Sequence, residues 1–441
     1  MKISKYISIH PQGTQTILFN SANESIIILT SDLLNIYNQY SDNPDTLKKV
    51  HPTFWENLKK LKFIVPKDCN EAEELIRSWE REDENQQHFG IIINPTLNCN
   101  LRCWYCYEPH KHSEVMNEQT KASIIRLIEN KTKNPMLKSL NVSFFGGEPL
   151  LYFNENVLPI LKYAAEICKK KGIKLYSNFT TNGVLLTEDV INKLNELPLA
   201  KKATFQITID GNRELHNKTR VGANKKPTYE VILHHIELAL KGGNEVYIRF
   251  NYTYDNILTF YDVLDDLKAR GIEKFQSTAF IKFEHVWQDS KSLPLIKPIL
   301  KKLREAFEIA GFNVNTDEVH FRHTCYADSP NNIVVNYNGN IYKCTARDFT
   351  PESKEGILDE TGNVILHEKF SLRMDSRFSN KECRNCVILP ICNGGCSQGK
   401  IESKTRNKCY KGLTEEDKDI YIKARLKEIL KAHKEKKAIL P

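Results

Sequence analysis

At 441 residues and 40% hydrophobic content, the chain is long enough for several domains with well-buried cores and needs no disulfide staple. The first fifteen residues lack the apolar run of a signal peptide, and no stretch reaches the roughly eighteen apolar residues of a membrane span, so a cytoplasmic protein with no membrane partner is expected. The net charge of +8, from 63 basic against 55 acidic residues, collects partly over residues 423–437, which read as a solvated helix; no nucleic-acid motif or aromatic interleaving accompanies it, so nucleic acid is not an expected partner.

Residues 1–60 read as short strands around 6–9, 15–19 and 25–29, followed by helical stretches around 32–40 and 52–61. Glu71, Glu73, Glu74, Glu80, Glu82, Asp83 and Glu84 mark a charged helix and linker that closes a first module over 1–88. From residue 90 to about 310 the pattern is strand then helix, with candidate strands at 90–95, 141–145, 174–180, 203–210, 245–252 and 275–281. Six such repeats indicate a parallel sheet covered by helices, and in parallel barrels the chemistry sits at the C-terminal strand ends.

Cys99, Cys103 and Cys106 follow the first strand in a CxxxCxxC pattern. Three thiolates so spaced can hold three irons of a four-iron, four-sulfur cluster and leave the fourth open; a zinc site short of one ligand, or three unrelated thiols, would use the same residues. After the second strand comes Phe145-Gly146-Gly147-Glu148-Pro149, where the glycines admit a close approach and the carboxylate can accept from an ammonium, unless it is an ordinary turn. Thr181-Asn182-Gly183 follows the third strand, and Thr208-Ile209-Asp210-Gly211 the fourth. Arg220 lies twelve positions past Thr208; a guanidinium pairs a carboxylate and a hydroxyl donates to a sugar oxygen, although Arg220 alone would read as a surface ion pair. Asn251 on the fifth strand and Ile281 after the sixth are further candidates for lining a site or for plain packing.

Seven more cysteines form a second region. Cys325 is followed by thirteen residues, Gly339, four residues and Cys344; Cys383 and Cys386 are separated by two residues, Cys392 follows after five, Cys396 after three, and Cys409 closes the series. A four-cysteine zinc ribbon would use Cys383, Cys386, Cys392 and Cys396 and leave Cys325, Cys344 and Cys409 idle. Cys69 and Cys168 read as buried apolar thiols.

Over residues 90–410 these motifs resemble the radical S-adenosylmethionine (SAM) superfamily, and the seven-cysteine series resembles its SPASM signature in every interval. The fold this resemblance implies is α/β: a partial (β/α)6 radical SAM barrel over 89–315, a winged-helix-like peptide-recognition module and linker over 1–88, a SPASM auxiliary-cluster domain over 316–412, and a C-terminal basic helix over 413–441. It implies three 4Fe–4S clusters. Cys99, Cys103 and Cys106 would hold the one whose open iron SAM chelates. Gly146, Gly147 and Glu148 would meet the SAM amino group, Thr208 and Arg220 its ribose and carboxylate, and Tyr105 its adenine, with Asn182, Asp210 and Ile281 completing the contacts. Cys383, Cys386, Cys392 and Cys409 would ligate an outer auxiliary cluster, and Cys325, Cys344 and Cys396 an inner one. The inner cluster is then either open to substrate or completed by a side chain such as His323 or Asp328.

Anaerobic sulfatase-maturing enzymes, similar in these motifs, carry an aspartate base directly after the second SPASM cysteine; here that position is Thr345, whose hydroxyl is no base near neutral pH, with Asp348 three residues on as a possible substitute. The resemblance therefore implies oxidative modification, a cross-link, of a ribosomally made precursor peptide whose leader segment adds to the N-terminal module, with an electron donor such as flavodoxin or ferredoxin. Formylglycine formation is the alternative. A non-catalytic electron-transfer protein is disfavoured because Gly146, Gly147, Glu148, Thr208 and Arg220 are all present. No catalytic residue is assigned.

Overall fold

In the computed structural model, which describes residues 1–108, 110, 113–222, 225–289, 293–315, 325–403 and 408–439, the chain forms two compact units, one of residues 1–84, 317–329 and 371–441 and the other of residues 85–316 and 330–370. The second unit carries an eleven-stranded sheet. Its centre is six parallel strands in chain order, His88–Ile93, Ser139–Phe144, Lys174–Thr181, Thr204–Ile209, Glu245–Tyr252 and Ala279–His285. Asn313–Asn315 extends the far edge in parallel, and Asn332–Val335 pairs in parallel with the first strand before three short antiparallel strands, Asn340–Tyr342, Gly356–Leu358 and Val364–Leu366, finish the near edge.

The strands alternate buried and half-exposed residues, which a sheet sealed on both faces would not do. One face carries Val142, Phe144, Phe179, Phe205, Ile207, Ile248 and Phe250 into the core with the helices; Phe144, Phe179 and Phe205 stack across three strands at 5.1 and 5.4 Å. The other face presents Asn141, Ser143, Asn178, Thr180, Gln206, Arg249 and Asn251, a polar lining suited to holding a substrate. Helix Leu158–Lys171 shows why the covering helices form: Leu158, Leu161, Ala165 and Cys168 recur on one stripe, and Gly172 ends the helix at φ 67°, where other residues are strained. Cys168 is thus the core thiol expected of it.

The sixth strand starts four residues later than the hydrophobic run at 275–281 suggests. Ile272–Lys274 form a 3-10 turn, and the Phe275 carbonyl accepts from Thr278 N and Ala279 N, so the chain is still turning at 278. Ile281 consequently sits in mid-strand opposite Ile248, wholly buried in the core, and His285 takes the strand tip.

In the first unit, strands Ile7–Gln12, Gln15–Asn20 and Ser25–Leu29 form an antiparallel sheet in that order, followed by helices Ser31–Tyr40, Pro44–Val50, Pro52–Lys60 and Glu71–Asp83. One sheet face contributes Leu18 and Leu29 to a core with Tyr37, Leu47, Trp55 and Leu58. Ile17 and Phe19, on the other face, pack against Leu426 and Ile429 of the C-terminal helix Glu415–Ile439, and Arg425 pairs with Glu24. That helix, expected to be solvated, therefore has an apolar face sealed on the sheet. Trp79 stacks on Phe378 at 5.3 Å in a cluster with Tyr6, Ile76 and Leu389, joining helix Glu71–Asp83 to the cysteine-rich segment. Cys69 departs from its expectation: it is half-buried and its thiol donates to Glu74 Oε1 at 3.2 Å. Among the described residues no helix is long and apolar enough to cross a membrane.

Candidate active site

The loop leaving the first strand is pinned before it reaches the cysteines. Thr96 O accepts from Gly147 N at 3.1 Å and Asn98 O from Glu148 N at 2.9 Å, so the start of the cysteine loop lies directly on the Gly146-Gly147 turn. A Cβ at Gly147 would overlap the Asn98 carbonyl and one at Gly146 the Thr96 carbonyl, and Gly146 holds φ at 108°. The close approach that requires these glycines is therefore to the chain's own backbone, although both also line the cavity above. On its far side the loop is clipped by Arg102 N donating to Val221 O at 2.9 Å.

Cys99, Cys103 and Cys106 line one wall of that cavity with Tyr105, Asn182, Thr208 and Arg220. Asn182 Nδ2 donates to Asn100 Oδ1 at 2.7 Å and to Cys99 Sγ at 3.5 Å, and Leu101 N donates to the same sulfur at 3.4 Å. Burial pushes the Cys99 thiol up to about 12 and Cys106 to about 11. Thiols so placed keep their protons until a cation displaces them, which is how iron couples its binding to deprotonation. Among the described residues no three His, Cys, Asp or Glu side chains converge on a single-ion site.

Glu148 does not line the cavity. Wholly buried, it accepts from Leu150 N at 3.0 Å, Thr181 Oγ1 at 2.8 Å and Asn182 N at 2.7 Å, bracing the ends of the second and third strands. Asp210 is also sealed in. It accepts from Tyr105 Oη at 2.9 Å and pairs with Arg220 Nη1 at 3.1 Å, while Arg220 Nη1 and Asn251 Nδ2 donate to Tyr105 Oη at 2.9 and 3.1 Å. Arg220 Nε is buried with no partner among the described residues. Ile281, in the core, is not part of the cavity wall. Asn251 does line the cavity.

Several lining residues were not anticipated. Gln206 and Arg249 share the polar strand faces with Thr208 and Asn251, and the period of two along those strands would have found them. His285, Trp287 and Gln288 follow the sixth strand, whose end was misplaced. Glu108, two residues past Cys106, lines the cavity; burial first, then the Glu114 and Asp348 carboxylates, raise its carboxyl to about 8.

In the first unit Cys383, Cys386, Cys392 and Cys409 line a single cavity with Lys411 and Lys418. Cys396 and Cys325 belong to the same unit outside that wall, and Cys344 to the other. Asp328 is buried and accepts from Ser397 Oγ, which in turn accepts from Arg373 at 2.7 Å. His323 lies outside the described residues.

Residues 93–274 match the model of the Radical SAM superfamily. The chain carries a radical SAM domain. The radical SAM domain implies a 4Fe–4S cluster and SAM, and the donor set fits both: three thiols on one wall, an unpartnered arginine Nε beside them, and small polar groups around. The chain is similar to the cysteine-type anaerobic sulfatase-maturating enzyme of Clostridium novyi (strain NT), 24% identical over 70% of this chain and 88% of that protein. It is also similar to the radical SAM cyclopropyl synthase TigE of Paramaledivibacter caminithermalis, 25% identical over 86% of this chain and 82% of that one. Among solved structures, Streptococcus suis SuiB bound to S-adenosylmethionine shares the fold over 94% of this chain and 100% of SuiB, with a TM-score of 0.52 at 17% identity. SuiB has also been solved bound to its precursor peptide SuiA.

Proposed function

We propose that this enzyme matures a ribosomally made peptide, oxidatively joining side chains at an unactivated carbon. The observation that carries the reading is the N-terminal sheet of the first unit. The sequence likeness to the sulfatase-maturating relative spans 70% of this chain and that to TigE 86%, and the likeness in fold to SuiB spans 94%. Taken as a winged-helix-like module, the sheet has edge strands Ile7–Gln12 and Ser25–Leu29, with Ile9 and Ile28 about half exposed, that suit a leader segment added as a further strand.

When bound, the cluster and SAM supply an electron and a 5′-deoxyadenosyl radical. Cys99, Cys103 and Cys106 would hold the irons, Arg220 would turn its free Nε to the SAM carboxylate, Thr208 would meet the ribose, and Tyr105 would pack by the adenine. Glu148 and Asp210 act one step back, fixing Asn182 in the first case and Tyr105 with Arg220 in the second. The polar strand faces around Gln206 and Arg249 receive the peptide and exclude bulk water from it. A SPASM domain would use the four-cysteine cavity for the outer auxiliary cluster and Cys325, Cys344 and Cys396 for the inner one, with flavodoxin or ferredoxin as electron donor.

Formylglycine formation is the competing reading, supported by the sulfatase-maturating relative. Thr345 and an exposed Asp348 weigh against it, since neither offers a sheltered base. Anaerobic turnover with a cysteine-containing sulfatase peptide tests this: no formylglycine is expected, and its formation would overturn the proposal.

A further inference from the structure

Beside the three cysteines one carboxyl group, that of Glu108, lines the cavity and is left unused by the SAM contacts. Glu108 is 7% exposed and lines the cavity, and neither of its carboxylate oxygens has a hydrogen-bond partner among the described residues. Glu114 Oε2 is likewise buried and unpartnered, and Glu114 and Asp348 both lie near enough to repel a charge on Glu108. A carboxyl group buried without a partner is rare in native structures, and it holds its proton until a counter-charge arrives to pair with it. Among the described residues no lysine or arginine pairs with either glutamate. His110, which lines the cavity with Glu108, also leaves its Nδ1 without a partner among the described residues.

We infer that Glu108, seconded by Glu114, receives a positively charged side chain of the peptide substrate, drawing a lysine or arginine into the cavity beside Cys99, Cys103 and Cys106. The inference rests on the peptide-maturase reading and names a substrate feature that reading leaves open. A cation there pairs with Glu108 directly and relieves its repulsion by Glu114 and Asp348, so a neutral isostere gains neither term. The polar lumen around Gln206 and Arg249 is the wrong sign for such a side chain at Arg249, which leaves the glutamate wall as the place for it.

The test is equilibrium dialysis of the anaerobically reconstituted, SAM-loaded enzyme against capped tripeptides Ac-Gly-Xaa-Gly-NH2, with Xaa lysine, arginine, glutamine or norleucine. The lysine and arginine peptides should bind at least about tenfold tighter than the other two at low ionic strength. Glu108→Gln should bring all four within about twofold, with Glu108→Asp retaining part of the preference. Iron content and SAM affinity report whether Glu108→Gln is intact; should it lose iron, Glu114→Gln gives the same comparison with a smaller loss. Equal binding of lysine and glutamine peptides, no saturable binding of the lysine peptide, or a preference that survives both variants would overturn the inference. So would a loss of SAM affinity alone in Glu108→Gln, which would hand the carboxylate to the SAM cation. The maturase reading fails separately, when no ribosomal peptide changes mass even though the tripeptide preference holds.

Discussion

Glu148 reads in the sequence as a ligand contact, and its three donors make it a brace. A glutamine in its place keeps the size but turns an amide N–H₂ toward at least one N–H or O–H donor, leaving a buried group unsatisfied at a cost of about 1–3 kcal/mol. Glu148→Gln should therefore lower the melting temperature of the apoprotein by several degrees, and unchanged stability with selectively weakened SAM binding would restore the direct-contact role. Gly147→Ala puts a methyl into the Asn98 carbonyl; shifting the cysteine loop to admit it should cost about 1–3 kcal/mol and reduce iron uptake, measured by thermal unfolding and iron assay. His216 is wholly buried against Tyr229, with Nδ1 accepting from Asp210 N at 3.3 Å, and burial, then Arg220, holds its imidazole well below the ordinary histidine range. A histidine with a depressed folded pKa binds fewer protons folded than unfolded, so its contribution is complete above about pH 6.5 and is lost as pH falls. The apoprotein should melt lower at pH 5.5 than at pH 7.5, and His216→Gln should narrow that difference.

Among the elements, the second, third and fifth strands were legible to within about two residues because their alternation has a period of exactly two positions. The sixth slipped because Phe275 is apolar yet belongs to a turn, and with it Ile281 moved into the core while His285 went unnoticed. Which carboxylates face the cavity was not legible at all: Glu148 is satisfied by Leu150 N and by the Thr181 hydroxyl and Asn182 N at the end of the third strand, and no local pattern records their direction. The C-terminal helix carried its own clue. Ile422, Leu426, Ile429 and Leu430 lie at helical spacing amid the charges, and this stripe seals the face of the N-terminal sheet that carries Ile17 and Phe19. Leu426→Ala should destabilise the first unit by about 2–5 kcal/mol, seen as faster amide exchange across Gln15–Asn20.

For the molecule as a whole, the spacing of the cysteines was the most informative feature, because ligand sets for clusters are set by covalent chemistry and survive any change of surroundings. The four that line one cavity in the first unit are the four that the SPASM resemblance grouped, whereas spacing alone would have put Cys396 in place of Cys409. On the three-cluster proposal, alanine at Cys386 should remove roughly a third of about twelve irons without abolishing SAM binding. The central claim is that this radical SAM enzyme oxidises a ribosomal peptide, and the most direct measurement is an anaerobic reaction of the reconstituted enzyme with reductant, SAM and the short peptide encoded beside its gene, followed by intact mass. A product lighter by about two hydrogens, with 5′-deoxyadenosine formed in step, is the expected result; deoxyadenosine without any change in the peptide, alongside formylglycine in a sulfatase peptide, would contradict it.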